Sequence, residues 1–213
     1  MRRNFWTKTL IIALAMAASP AVLGQSVYNA IQQVEAIMAD DELRQQAYED
    51  GHTRIRFCGY CHGEDGNSKR NYIPNLADQH PLYLFKQFEK FGDGTREHYV
   101  MTKLAQTLTL EERINVAIYY SQQEAKSREA DDPALAASGE PIYTRRCQAC
   151  HGDKAEGFQD MPRLAGQPAR YVREALQRFK DMEPGDDDSP MIGIADPLSK
   201  EDIRKLAAYV QTL

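Results

Sequence analysis

Cys58-Gly59-Tyr60-Cys61-His62-Gly63 returns 89 residues later as Cys147-Gln148-Ala149-Cys150-His151-Gly152. Two further blocks repeat in the same order. Ile73-Pro74-Asn75-Leu76-Ala77-Asp78-Gln79, followed by Tyr83, returns as Met161-Pro162-Arg163-Leu164-Ala165-Gly166-Gln167, followed by Tyr171, at an offset of 88. Met101, Ala105, Leu108 and Thr109 return as Met191, Ala195, Leu198 and Ser199 at an offset of 90. Offsets that drift by one residue between ordered blocks are the mark of a duplication with single-residue loop changes, so the chain reads as two domains. The polar segment from Ser121 to Ser138 has no sustained apolar face and reads as the connection. The expected division is an N-terminal domain over 25–124 with a helical lead-in at 25–50, a linker over 125–138 and a C-terminal domain over 139–213.

Both repeats read as helical. Tyr83, Leu84, Phe88 and Phe91 match Tyr171, Val172, Leu176 and Phe179, a spacing that gathers them on one helix face. Thr109 with Glu112 forms a capping box ahead of the last helix of the first repeat, and Ser199 with Asp202 a weaker version in the second. Ile203, Leu206, Ala207 and Val210 then make an i, i+3, i+4, i+7 stripe. In the first repeat Arg113 stands where the second has Ile203, so that helix is expected to be wetter at its start. No run of alternating β-branched residues demands a strand, and the expected fold class is all-α. Domains of this size with a few short helices bury little surface and need a staple or a bound group to complete their cores.

The first 24 residues fall outside this pattern. Arg2, Arg3 and Lys8 precede the apolar run Leu10 to Ala18 and the small-residue stretch Ser19 to Gly24, the three parts of a cleaved export signal. The run is short of the roughly 20 apolar residues a membrane span needs. Cleavage is expected after Gly24, which places the mature chain in the periplasm. The whole chain of 213 residues is 42% hydrophobic and 27% charged, with a net charge of -5, so it is globular. It also lacks the basic excess needed to neutralise nucleic-acid phosphates.

C-x-x-C-H is the attachment signature of c-type haem: two thiols add across the vinyl groups, and the adjacent His becomes an axial ligand of the iron. A disulfide would leave the His unexplained in both copies. A zinc site built from Cys58, Cys61, Cys147 and Cys150 would also ignore both His residues and would tie the repeats together. A thioredoxin-like redox pair belongs in an α/β context. The motif uses all four cysteines, and two covalently attached haem c groups are expected, with His62 and His151 as ligands.

No His follows His151, so the opposite ligand of the second iron is sought among the methionines. Of Met161, Met182 and Met191, only Met191 has a Met at the matching place in the first repeat, Met101. One isolated Met would read as core filler; a matched pair about 40 residues beyond each motif reads as a pair of ligands. His98, three residues before Met101, stays open as an alternative at the first site, although its counterpart is Asp188. Pro74 and Pro162 are candidate supports, because a ligating His usually donates its other ring N–H to a carbonyl and a proline in an extended loop has one free. His52 and His80 read as surface or turn residues.

The order CxxCHG, P-x-L-A-x-Q-x-x-x-Y and M-x-x-x-A-x-x-L-[ST], present twice over about residues 51 to 213, resembles the dihaem cytochrome c4 family. The resemblance implies two tandem class I cytochrome c folds packed together, with axial pairs His62/Met101 and His151/Met191. It also implies a periplasmic carrier of single electrons in the respiratory chain, from a membrane-bound donor complex to a terminal oxidase or reductase. Peripheral association with a membrane is compatible with such partners; nucleic acid is not among them. The runner-up is a dihaem subunit of a larger dehydrogenase, flavocytochrome-like. A haem peroxidase ranks lower, since it needs an open or His-ligated iron and a longer chain. Residues 25–50 exceed the family's usual lead-in.

Overall fold

Gly51 and Gly139 hold corresponding places where two helices cross at close range. A Cβ on Gly51 would come 2.8 Å from Tyr119 Cβ and collide with the Asn115 carbonyl. A Cβ on Gly139 would come 2.7 Å from Tyr209 Cβ and collide with the Lys205 carbonyl. Each crossing joins the first helix of a repeat to its last. In the first repeat these are α2 (Asp41–Arg54) and α6 (Leu110–Ser121); between them lie α3 (Arg56–His62), α4 (Pro81–Asp93) and α5 (Tyr99–Thr107). In the second they are α7 (Pro133–Arg146) and α11 (Lys200–Val210), enclosing α8 (Gln148–His151), α9 (Ala169–Asp181) and α10 (Met191–Ala195). A further helix, α1 (Pro20–Ala39), precedes the first repeat.

The structure is a computed structural model that describes residues 20–213, with side chains from residue 27 onward. Most of the expected export signal over 1–24 lies outside the described residues. Among the described residues the fold is all-α, with one isolated bridge between Phe158 and Met161.

Two groups of buried side chains form the interior. The first runs from Ala30 and Val34 of α1 through Phe85 and Phe88 of α4 to Ile114, Ile118 and Tyr120 of α6. The second gathers Ile142 and Tyr143 of α7, Val172 of α9 and the Ile203, Leu206, Ala207 and Val210 stripe of α11. Local signals set several of the boundaries. Thr109 and Ser199 both form complete capping boxes, with Glu112 and Asp202.

Two details differ from the sequence reading. Residues 133–138, assigned to the linker, are the opening turns of α7: Asp132 accepts from the Leu135 N–H, Pro133 occupies the first turn, and Ala136 is buried. Residues 41–50, assigned to the lead-in, belong to α2 and pack on α6, so only α1 is additional. The start of α6 is the wetter one, as expected: Leu110 and Glu111 are exposed and Arg113 is partly buried where α11 buries Ile203. Arg113 folds inward, pairs with Glu89 at 2.8 Å and donates to the carbonyls of Leu108 and Ala105 at the end of α5.

The chain between the repeats lacks regular structure but is anchored. The Lys126 N–H donates to Asn67 Oδ1 at 2.9 Å, and the Arg128 N–H donates to the Gln211 carbonyl at 2.8 Å.

Candidate haem sites

Each CxxCH segment ends a short helix with its His as the last residue and a glycine at positive φ beyond it, Gly63 at 84° and Gly152 at 81°. A side chain other than glycine is strained there, so the glycine lets the chain turn away immediately after the His. His62 and His151 are buried, at 8% and 4% exposure. His62 Nδ1 lies 3.0 Å from the Pro74 carbonyl oxygen and His151 Nδ1 lies 2.9 Å from that of Pro162. A carbonyl only accepts, so in both rings Nδ1 carries the proton and Nε2 keeps its lone pair. Burial lowers both imidazole pKa values, holding the rings neutral as a metal ligand must be.

The structure brings His62 together with Pro74 and His151 together with Pro162. Cys58, Cys61 and Cys147 are partly buried and Cys150 is exposed. Burial pushes the Cys58 thiol up and the Cys147 thiol up to about 11, so both are protonated at neutral pH. Among the described residues no group of three or more His, Cys, Asp or Glu side chains converges as a single-ion site would require.

Both methionines lie in the first turn of a helix, each with its N–H bonded to a side chain two or three residues earlier. Met101 N–H donates to His98 Nδ1 at 3.3 Å, and Met191 N–H donates to Ser189 Oγ at 3.3 Å. Both methionines are half-buried, and Met101 packs on the first core, as Cys58 does. His98 is the N-cap of α5. The His98 and Arg96 charges add to the lowering of the His62 pKa by burial, which the bond to Pro74 partly opposes. His80 is not free at the surface: its Nε2 lies 2.9 Å from the Glu156 carbonyl of the other repeat. His52 is exposed and stacks on Tyr119.

Tyr83, Arg96, Tyr171 and Arg178 meet where the repeats join, a cluster the sequence reading did not identify. Arg96 donates to Gln87 Oε1 at 2.5 Å and Tyr171 Oη at 3.4 Å, and lies over the Phe91 ring. Burial pushes Tyr83 up to about 12, and burial with the neighbouring Arg96 charge lowers Arg178. Among the described residues no ion pair reaches either guanidinium. Two partly buried cations with no carboxylate in ion-pair contact, Asp187 acting on Arg178 only from a distance, suit an incoming anion. Haem carries two carboxylates, so this cluster fits the group that the CxxCH turns attach.

Paired thiols and a neutral, oriented His in each of two helical repeats define a c-type cytochrome. The Cytochrome c family pattern matches residues 136–213. The chain is 36% identical to cytochrome c4 of Thiocapsa roseopersicina, over 73% of this chain and 86% of that one. The crystal structure of reduced recombinant cytochrome c4 from Pseudomonas stutzeri superposes with a TM-score of 0.72 at 33% identity, covering 78% of this chain and 97% of that one. The chain is also 34% identical to a thiosulfate dehydrogenase electron acceptor of Thiomonas intermedia, over 58% of this chain and 63% of that one. The chain belongs to the cytochrome c4 family. It is an electron carrier rather than an enzyme, with two covalently bound haem c groups and redox proteins as partners.

Proposed function

We propose that the chain is a periplasmic dihaem carrier moving single electrons between respiratory-chain partners, towards a terminal oxidase or reductase. Residues 1–24 serve as its export signal. The observation that carries the reading is the pair of buried histidines whose Nδ1–H is held by a proline carbonyl, each beside a Cys pair. His62 with Met101, and His151 with Met191, would hold the two irons. Cys58, Cys61, Cys147 and Cys150 would form the thioether bonds, and Arg96 and Arg178 would hold haem carboxylates. The domains correspond to residues 25–124 and 139–213 as first drawn, with the second extended back to Pro133, where α7 begins. Haem supplies the redox change. A His and a Met offered to each iron would leave no open position for a small molecule and would limit rearrangement on electron gain.

The likeness to a thiosulfate dehydrogenase electron acceptor favours one second reading, in which the electrons come directly from a dehydrogenase partner. Met101→Ala and Met191→Ala in the holoprotein test the ligand assignment. Each should abolish the sulfur-to-iron charge-transfer absorption of one haem and lower that haem's potential, while His98→Ala leaves both spectra unchanged. A changed iron spectrum in His98→Ala with none in Met101→Ala would overturn the first pair. Capture from periplasm separates the partner readings: an oxidase supports the first, a stoichiometric dehydrogenase the second.

A further inference from the structure

The peptide units that hold the two histidines are themselves held from the opposite repeat. Pro74 accepts from His62 through its carbonyl, and the N–H of that same peptide, on Asn75, donates to Gln167 Oε1 at 3.0 Å. Gln167 Nε2 donates back to the Asn75 carbonyl at 2.9 Å. In the other direction, Pro162 accepts from His151, and the N–H of that peptide, on Arg163, donates to Gln79 Oε1 at 2.8 Å. Gln79 Nε2 donates to the Arg163 carbonyl at 2.9 Å. Gln79 and Gln167 are only 3% and 4% exposed. They are the same residue of the repeated P-x-L-A-x-Q block, so the duplication has generated a reciprocal pair of amide clamps.

We propose that Gln79 and Gln167 are positioning residues that set the donor strength of the His in the opposite domain, so that each haem's reduction potential is controlled from across the interface. The inference rests on His62 and His151 being the axial ligands. A peptide whose N–H donates to an amide oxygen is polarised, and its carbonyl accepts more strongly. The His Nδ1–H then gives up more of its proton density and Nε2 becomes a stronger donor. A stronger donor favours ferric iron and lowers the potential. Removing the Gln acceptor reverses the chain of effects in the other domain's haem and leaves its own untouched.

The test uses holoprotein variants in spectroelectrochemical titration, with the haems assigned through the His62 and His151 ring N–H resonances of the reduced protein. Gln167→Met should shift the reduction equilibrium of the first-domain haem towards ferrous iron by on the order of twofold to fourfold and leave the second-domain haem in place. Gln79→Met should do the reverse. Gln167→Glu keeps an acceptor for the Asn75 N–H and should return the first haem to the wild-type equilibrium or past it. Gln167→Asn, one methylene shorter and still polar, keeps the test open if Met at this buried position prevents folding; it should move the first haem in the same direction as Met. Equal movement of both haems, movement of the haem in the variant's own domain, or no movement in a folded variant would overturn the inference. His62→Met separates the two levels. If it leaves the first iron's spectrum unchanged, the ligand assignment has failed; if it changes that spectrum while the Gln variants do nothing, only the cross-domain control has.

Discussion

In the first repeat the Gly63 carbonyl, directly after the CxxCH turn, accepts from Tyr120 Oη at 3.2 Å. In the second, the Gly152 carbonyl accepts from Tyr143 Oη at 2.6 Å. Tyr120 lies on the last helix of its repeat, and Tyr143 on the helix that leads into the motif. Each opposite position holds an aliphatic residue, Ile55 or Val210. The same carbonyl is served from opposite sides of one helix crossing, with the bulk of the ring exchanged for that of a branched aliphatic. What the duplication has kept is the position of the His and the pairing of the groups around it, rather than the residue that supplies each contact.

The cores differ more. Among the described residues the first repeat gathers sixteen buried side chains, two of them from α1, and the second gathers ten. Val34 of α1, 1% exposed, represents about 1.5–3 kcal/mol of burial by itself. The first domain should therefore depend less on its haem for folding. Replacing Cys147 and Cys150 by Ala, so that the second haem is not attached, should leave residues 133–213 largely unfolded. The same change at Cys58 and Cys61 should leave α1, α2, α4 and α6 helical and resistant to protease. Far-UV circular dichroism with limited proteolysis checks both. Equal loss in the two proteins would show that α1 does not compensate for a missing haem.

Much of this scaffold was legible because it is written locally. A capping box places side chain and backbone partners within three residues, and Thr109–Glu112 and Ser199–Asp202 both form. The Ile203, Leu206, Ala207 and Val210 stripe is buried throughout, since helical periodicity fixes which side faces inward. The start of α7 carried a local signal too, Asp132 before Pro133, which the surrounding polar composition masked. The interface carried none. Gln79 meets Arg163 and Asn75 meets Gln167 only after both repeats have folded and docked. Recurrence of the Gln marked it as repeated without saying what it touches. Arg113 shows the limit of helix-face reasoning: its long side chain reaches from an inward position to carbonyls that end the preceding helix.

The exchanged tyrosines give a smaller and more specific effect. Tyr120→Phe and Tyr143→Phe each remove one hydrogen bond, while the glycine carbonyl keeps its bond from the Gly66 or Ala155 N–H. Each should cost about 1 kcal/mol, seen as a lower thermal midpoint without change in haem content. Giving the first repeat the arrangement of the second, Ile55→Tyr with Tyr120→Val, should recover part of that loss. A double variant less stable than Tyr120→Val alone would mean that the two arrangements are not interchangeable in one core.

The smallest expected effect separates the two kinds of contact between the repeats. The Gln79 and Gln167 clamps are neutral and reciprocal, whereas the ion pairs run from either repeat without reciprocal copies: Lys86 reaches Asp160 at 2.7 Å, Lys90 reaches Asp187 at 2.5 Å and Asp188 at 2.8 Å, and Arg163 reaches Asp78 at 3.0 Å. The residues matching Lys86 and Asp160 are Glu174 and Tyr72, so the duplication provides no second copy of that pair. Lys86 and Asp160 are both about one-third exposed, which limits the pair to a few tenths of a kcal/mol. The bond from Lys86 holds the Asp160 carboxyl below its ordinary value of 3.8, and that from Lys90 does the same for Asp188. A carboxyl whose folded pKa is depressed adds stability that is complete above its unfolded value and is lost as the pH falls through the folded one. The difference in Tm between the wild type and Lys86→Met should therefore be small and constant from about pH 7 to pH 5, then close below about pH 4. It should also shrink at about 1 M salt, where exposed charges are screened within about 3 Å. The cost of Gln79→Met should keep its size across the same range, because neither the amide nor the peptide it holds titrates. A Lys86→Met difference that persists at pH 2.5 would assign the contact to packing of the lysine stem instead of its charge.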